Sequence, residues 1–351
     1  MSRFLSARLS ALTPYTPGEQ PRERKYIKLN TNESPFPPSE QAIEAAAEAA
    51  KSLQLYSDPT CRALCERMAA RYGVDTGEVL MTNGSDEVLN FAFMAFCDEE
   101  HPALFPDITY GFYKVFAALN RVPYRELPLR EDFTVDIEAY LQTRGTVFLA
   151  NPNAPTGLAV SPAEVERLLA ADPDRVVVVD EAYVDFGAES CIPLIYKYDN
   201  LLVTGTFSKS RSMAGARLGF GIANRALIRD LDTVKYSTNP YNVNSMTAAA
   251  GLGVLADEDY TQRNCRTIIE NRENAKTVLK KLGFEVTESL GNFLFVRHPE
   301  RSGEEIYRAL RARGILVRHF NQERIKEYNR ITVGTAEEMG ALLLALSEIV
   351  R

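Results

Sequence analysis

Between Val79 and Ala223 the chain alternates short apolar runs with helical segments, and no other pattern in it restricts the fold as tightly. The runs read as strands are Val79 to Thr82, Ala103 to Phe105, Pro123 to Leu127, Val147 to Ala150, Val176 to Val179, Leu201 to Thr204 and Phe220 to Ala223. This alternation is the pattern of a parallel sheet covered on both faces. Among the intervening helices, Ser161 to Ala171 opens with Pro162 in its first turn and a Ser161–Glu164 capping box. The expectation is an α/β fold, a large domain with a mostly parallel seven-stranded sheet plus a smaller α+β domain.

The flanking segments complete the outline. Helices are expected at Ser39 to Leu53 and at Thr60 to Tyr72, the second starting at Thr60 as N-cap and closed by Gly73. From Asn244 a helix runs to Ala256, and a long one follows from Glu258 to Leu282, stopped by Gly283. Strands at Phe293 to Arg297 and Ile315 to Arg318 enclose a helix ending at Gly314, and Thr335 with Glu338 caps a final helix. The domain reading is an N-terminal arm over 1–38 that belongs with the small domain, a large domain over 39–256, and a small domain over 257–351 joined by the long helix. The arm is rich in Pro, Asn, Thr and Ser from Leu12 to Pro38, so it is expected to be extended.

A net charge of -7, with no basic run to offset it, argues against a nucleic-acid surface. The best membrane candidate, Val88 to Cys97, is too short and is interrupted by Asn90. The first residues carry Arg3 and Arg8 and no acid but lack a continuous apolar centre, which favours an arm over a leader. Five scattered cysteines form no disulfide framework, and Cys61 with Cys65 lacks a second pair for a metal. His101, His298 and His319 lie too far apart for a local zinc motif. The expectation is a cytoplasmic protein with reduced thiols and no metal.

In open parallel sheets ligands sit outside the carboxyl ends of the strands, so the polar residues that follow strands carry the most information. After the strand starting at Leu201 come Thr206, Ser208 and Lys209, then Arg217. Two hydroxyls and a guanidinium can hold a phosphate while the lysine amine stays free to react. A lysine beside a captured phosphate suggests pyridoxal phosphate, whose aldehyde forms a Schiff base with an amine. Asp180 ends its strand and Tyr183 follows, so a carboxylate and a phenol point into the same crevice. A carboxylate beside a pyridine nitrogen keeps it protonated and makes the ring an electron sink.

Gly84, Ser85 and Asp86 open a helix that runs to Phe96, and their amides can bind phosphate. Tyr110 offers a stacking face for a ring, NPNAPTG (Asn151 to Gly157) is a tight turn, and Arg330 is a planar cation suited to a carboxylate or phosphate. Taken singly, each has a plainer reading: a solvated lysine, a capping Asp, a core aromatic, a strand-edge arginine. Gly251, Gly253 and Ala256 have dinucleotide-fingerprint spacing, but they lie within a helical pattern and follow no strand.

Together, LNTNESP, Tyr56, GSDE, Tyr110, NPNAPTG, DEAY, TFSKS, Arg217 and RITVG, in that order and spacing, resemble the histidinol-phosphate aminotransferases, which are fold type I pyridoxal-phosphate enzymes. The likeness runs from about Leu12 to the C-terminus, and YNVN, LVRHF and RITVGT point to this group within the fold type. It implies that Lys209 holds pyridoxal 5'-phosphate and then shuttles a proton, that Asp180 pairs with the pyridine nitrogen, and that Tyr183 bonds the ring hydroxyl. Thr206, Ser208, Arg217 and the Gly84 to Asp86 amides would hold the phosphate. Tyr56 would reach the cofactor phosphate of a neighbouring subunit, implying a homodimer with shared sites.

Arg330 would bind the α-carboxylate of glutamate and 2-oxoglutarate and the phosphate of histidinol phosphate, while Tyr15, Asn32 and Asn242 to Asn244 line the substrate end. One departure stands out. The asparagine that such enzymes carry directly before PTG is here Ala154. Asn153 is taken as its substitute, the alternatives being Asn151 through a shifted turn or Tyr183 acting alone. The resemblance implies transamination between L-histidinol phosphate and 2-oxoglutarate in histidine biosynthesis. The rival readings are an aromatic amino acid aminotransferase and, further off, a threonine-phosphate decarboxylase.

Overall fold

A computed structural model describes residues 2–6, 9, 12–21 and 23–351; Arg8, counted above among the charges of the first segment, lies outside the described residues. After a short strand β1 (Ile27–Lys28), the strands β2 (Val79–Thr82), β3 (Ala103–Pro106), β4 (Tyr124–Leu127), β5 (Thr146–Ala150), β6 (Val177–Asp180), β7 (Leu201–Thr206) and β8 (Gly219–Ala223) follow. The helices among and beyond them are α1 (Glu40–Ala49), α2 (Arg62–Tyr72), α3 (Ser85–Phe96), α4 (Phe112–Asn120), α5 (Ile137–Leu141), α6 (Pro162–Ala171), α7 (Arg225–Thr238), α8 (Ser245–Ala256) and the long α9 (Glu258–Lys281). Strands β2 to β8 form one seven-stranded sheet in the order β2-β8-β7-β6-β5-β3-β4. Only β8 runs against its neighbours β2 and β7.

The alternation of side chains across the pleat divides the core in two. Val147, Leu149, Val177, Val179, Leu201 and Val203 face one side and pack with Leu64, Met68, Val165, Leu168 and Val254 from α2, α6 and α8. Phe148, Val178 and Leu202 face the other, against Leu89 and Phe93 of α3, Tyr113 and Phe116 of α4, and Leu231 of α7. Each such side chain removed from water contributes about 1.5–3 kcal/mol. Burial on both faces is why these strands read as continuous apolar runs.

Beyond α9 come β9 (Glu285–Val286), β10 (Phe293–Arg297), α10 (Gly303–Ala312), β11 (Ile315–Leu316), β12 (Arg318–His319), β13 (Asn329–Thr332) and α11 (Ala336–Ile349). A four-stranded antiparallel sheet in the order β12-β13-β10-β9 packs with α9, α10 and α11 around Leu294, Ile306, Ile331 and Leu342. The strand expected from Ile315 to Arg318 is broken at Val317, because its first half pairs with β1 and its second with β13. The arm is therefore not simply extended: Ile27 and Lys28 add a parallel strand to Ile315 and Leu316.

Helix ends mostly follow the side-chain chemistry, with the boxes at Ser161–Glu164 and Thr335–Glu338 both formed. Thr60 is not the N-cap of α2. That place falls to Cys61 in a left-handed conformation, while the Asp58 carboxylate accepts from the amides of Thr60 and Arg62, each at 2.9 Å.

Candidate active site

Strand polarity gathers the site. The carboxyl ends of β2, β5, β6 and β7 all open on one edge of the sheet, and the reversed β8 begins there. Gly219 is in register with Thr82 on one side and Thr206 on the other. A Cβ at Gly219 would collide with the backbone of Gly84 and Ser85, so only glycine lets the start of α3 close over β8. Arg217, two residues earlier, is thereby delivered to the N-terminus of α3, where its Nη2 lies 3.0 Å from Asp86 Oδ2.

Gly84, the N-cap of α3, has φ +78, and a Cβ there would stand 2.5 Å from Arg217 Nη2. No side chain caps the helix. Its first-turn amides, the dipole and Arg217 make this corner attractive to an anion. Thr206 and Ser208 are buried beside it, with their hydroxyls 2.9 Å apart, and Arg217 Nη1 donates to Ser208 Oγ at 3.4 Å.

A cavity of about 270 Å³ is lined by Ser85, Asp86, Thr206, Ser208 and Arg217 at this end and by Asp180, Tyr183 and Lys209 further in. Asp180 is buried, in register with Thr204, and accepts hydrogen bonds from Thr204 Oγ1 at 3.3 Å and Tyr113 OH at 3.4 Å. Burial, reinforced by the charge of Asp86, pushes its carboxyl up to about 7. A cation placed against it would restore its charge. Tyr110 lines the same cavity and donates to Asp86 Oδ1 at 2.6 Å, with its ring edge-on to Tyr113.

A second cavity, about 400 Å³, is lined by Tyr15, Gln20, Arg318, Gln322 and Arg330. Both cavities share Thr31, Tyr110, Ala154, Tyr183 and Lys209, so the lysine stands in the wall between them. Its Nζ donates to the Thr31 carbonyl at 3.3 Å and lies 5.8 Å from the centre of the Tyr183 ring.

Arg330 on β13 is the cross-strand partner of Arg318 on β12, which puts both guanidinium groups on one face. Burial and the neighbouring Arg318 charge both depress Arg330, against the pull of Tyr183 and Tyr15. Arg330 Nη2 donates to the Asn30 carbonyl at 3.1 Å, while its buried Nε has no hydrogen-bond partner among the described residues. Two facing cations with a donor to spare suit a ligand with more than one negative charge.

The expected asparagines line neither cavity. Asn153 donates to the Ile108 carbonyl at 2.9 Å and Thr156 Oγ1 at 3.1 Å and accepts from Thr109 Oγ1 at 2.7 Å, so its amide is fully used in holding the turn. Asn151 is likewise spent on the backbone of Val160, and Ala154 itself lines both cavities. Asn32 is a buried clamp: its Nδ2 donates to Tyr183 OH at 3.0 Å and its Oδ1 accepts from Thr332 Oγ1 at 3.1 Å. It positions the phenol instead of lining the substrate end. Asn244 is the exposed N-cap of α8, accepting from the Thr247 amide at 2.9 Å, and Asn242 bonds Glu87.

Tyr56 is 84% exposed, stacks on Tyr241 at 4.6 Å, and lines neither cavity of its own chain. Sequence reasoning assigned no role to Arg318, Thr31 or Glu33. For Arg318 the signal was present, since it sits inside LVRHF.

The sequence model of the family described as Aminotransferase class I and II matches residues 24–346. The chain belongs to that family. It is 48% identical over 350 residues to histidinol-phosphate aminotransferase 1 of Bradyrhizobium diazoefficiens, covering 100% of both chains. It is 47% identical over 356 residues to the histidinol-phosphate aminotransferase of Aromatoleum aromaticum, again covering 100% of both. In fold it is similar to the histidinol-phosphate aminotransferase of Sinorhizobium meliloti solved in complex with pyridoxal-5'-phosphate, with a TM-score of 0.91 at 23% identity over 100% of this chain and 98% of that one.

Proposed function

We propose that this chain transfers an amino group from L-histidinol phosphate to 2-oxoglutarate, giving imidazole acetol phosphate and L-glutamate, with pyridoxal 5'-phosphate held by Lys209. The observation that carries the substrate reading is the pair Arg318 and Arg330, on adjacent strands and facing the cavity that Lys209 closes. A phosphate monoester is close to a dianion at neutral pH and suits two guanidinium groups, while an aromatic side chain offers them only a weaker cation–π contact and no charge. The same pair accepts the carboxylates of 2-oxoglutarate and glutamate in the other half-reaction.

The residues fit the cofactor on two counts. The uncapped first turn of α3 with Thr206, Ser208 and Arg217 forms a phosphate cradle at one end of the smaller cavity. Asp180, raised to about 7 when it faces no cation, gains its charge from a protonated ring nitrogen. When bound, the cofactor supplies an electron sink that weakens the bond between substrate Cα and its hydrogen. Lys209, reaching both cavities, takes that proton from Cα as a neutral amine and returns it to the cofactor side. Tyr183, oriented by Asn32, would bond the ring hydroxyl without help from Asn151 or Asn153, and Tyr110 would offer the ring a stacking face. Tyr15 closes the substrate end.

Residues 39–256 form the cofactor domain of this reading, and 257–351 with the arm form the smaller one. Tyr56 serves the site of a second copy in a cytoplasmic homodimer, which accounts for an exposed aromatic pair at Tyr56 and Tyr241. Among the described residues no helix is long and apolar enough to cross a membrane.

Specificity constants for histidinol phosphate and phenylalanine test the proposal. Histidinol phosphate is expected to be preferred, and Arg318→Gln to lower its kcat/KM by about 10- to 100-fold, the loss of one or two charge-assisted hydrogen bonds. Lys209→Ala is expected to abolish the cofactor's visible band and nearly all turnover. A preference for phenylalanine, or an equal loss for both substrates in Arg318→Gln, refutes the reading.

A further inference from the structure

The arm contributes a carboxylate that the mechanism above leaves unused. Glu33 lines the smaller cavity together with Lys209. It is tied to the lysine through Thr31, whose hydroxyl donates to Glu33 Oε2 at 2.7 Å and whose carbonyl accepts from Lys209 Nζ at 3.3 Å. A second lysine, Lys28 on β1, forms an ion pair with Glu33 and donates to Thr31 Oγ1 at 3.0 Å. The chain thus places lysine, carboxylate, threonine and lysine in one connected line. The other charged or titratable groups around Lys209 are Asp86, paired with Arg217 and Tyr110; Asp180, bonded by Thr204 and Tyr113; and Tyr183, whose phenol accepts from Asn32. Across the second cavity stand the cations Arg318 and Arg330, which act against Glu33 and are the same in every variant below.

We propose that Glu33 sets the charge on the Lys209 nitrogen through its field, and that Lys28 limits that field. The proposal rests on Lys209 being the cofactor lysine. An anion near a basic nitrogen favours its protonated form, whereas the proton transfer requires the free base. Left unpaired, Glu33 would act on the Lys209 nitrogen with its whole charge; paired with Lys28, it acts with only part of it. Glu33 stays ionised in this setting. Burial pushes its carboxyl up, but hydrogen bonds from Lys28 and Thr31 and the charges of Lys28 and Lys209 outweigh that and hold it below the usual range. The Glu33 side chain is 41% exposed and that of Lys28 32%, so solvent screening keeps the effect modest.

The test is a pH titration of the visible band of the cofactor-loaded protein, which reports the proton on the lysine-bound nitrogen without any turnover. Glu33→Gln, which keeps an acceptor for Thr31, is expected to lower the midpoint by about one pH unit. Lys28→Met is expected to raise it by a similar amount, and Lys28→Arg to restore the parent value. Opposite signs distinguish a field from a loosened arm, which would move both variants the same way. Midpoints that stay put, or that shift together, overturn the proposal. Failure of the underlying reading shows separately: the parent protein would then form no such band, or borohydride reduction would fix the cofactor to a residue other than Lys209.

Discussion

Changing Asp185 to asparagine removes the anchor of the loop that carries Lys209. Asp185 Oδ2 accepts from Ser210 Oγ and from Arg211 Nη1, the latter at 3.0 Å, so the two residues that follow the lysine are held by one carboxylate. The Arg211 side chain is only 1% exposed, and its Nε and Nη2 have no hydrogen-bond partner among the described residues. The next anion, Glu258 at the start of α9, is 3.9 Å away and also pairs with Arg71.

Removing one partner of a buried pair costs about 3–5 kcal/mol, because a charge is left without compensation. Asp185 retains 23% exposure and Glu258 remains near, so the lower end, about 3 kcal/mol, is expected from urea unfolding of the cofactor-free protein at neutral pH. The double variant Asp185→Asn with Arg211→Met also removes the stranded cation and is expected to regain roughly 2 kcal/mol of that loss. Asp185 is held below the ordinary aspartate range despite its burial, chiefly by the charge of Arg211 and the Ser210 hydrogen bond. Its contribution is therefore complete above that range and disappears as the pH falls through the lowered value. A loss below about 1 kcal/mol, or a double variant no more stable than the single one, refutes the view that Arg211 depends on Asp185.

Two further outcomes follow from the same site. Burial raises Asp180 to about 7 from an ordinary 3.8, and Glu181 to about 7 from 4.5. Raised acids favour the folded state below their unfolded values, so the cofactor-free protein should lose stability as the pH climbs from about 4 to about 7, at up to roughly 1.4 kcal/mol per unit for each group. Thermal midpoints across that window should flatten in Asp180→Asn; an unchanged slope would remove Asp180 from the account. Gly84→Ala puts a side chain at φ +78 and against Arg217, so equilibrium titration should show cofactor affinity down by about tenfold with at most about 2 kcal/mol lost in stability. Unaltered affinity would mean that the α3 corner does not hold the phosphate.

Six of the seven strands of the main sheet were legible because they are buried throughout, and that leaves an apolar run in the sequence; the edge strand β4, YREL, is half exposed and carries no such run. Strand direction was not legible. Nothing in GFGIA says that β8 runs backwards, although that reversal carries Arg217 to α3. Lys209, Asp180, Tyr183 and the corner at Ser85 and Asp86 follow strand ends and could be brought to one cavity by that rule.

The asparagines could not, because an amide serves equally as cap, turn brace or ligand contact, and only the neighbours decide. Asn153 braces a turn, Asn32 orients a phenol and Asn244 caps a helix. Arg318 and Glu33 escaped for a different reason. Their roles arise from tertiary placement: Arg318 faces Arg330 across two strands, and Glu33, paired locally with Lys28, lies on an arm that reaches the Lys209 cavity through a strand pairing with no local signature.

The small Ala154 borders both chambers, at the wall that carries Lys209. A compound with a phosphorylated pyridine at one end and a second phosphate at the other, joined by a thread slim enough to pass the methyl group, would fill both rooms at once. Tethering adds the two affinities while rigid-body freedom is lost a single time, so such a hybrid should hold far more tightly than either half. A bulkier residue in place of Ala154 would obstruct the doorway and penalise the hybrid more than its separate pieces.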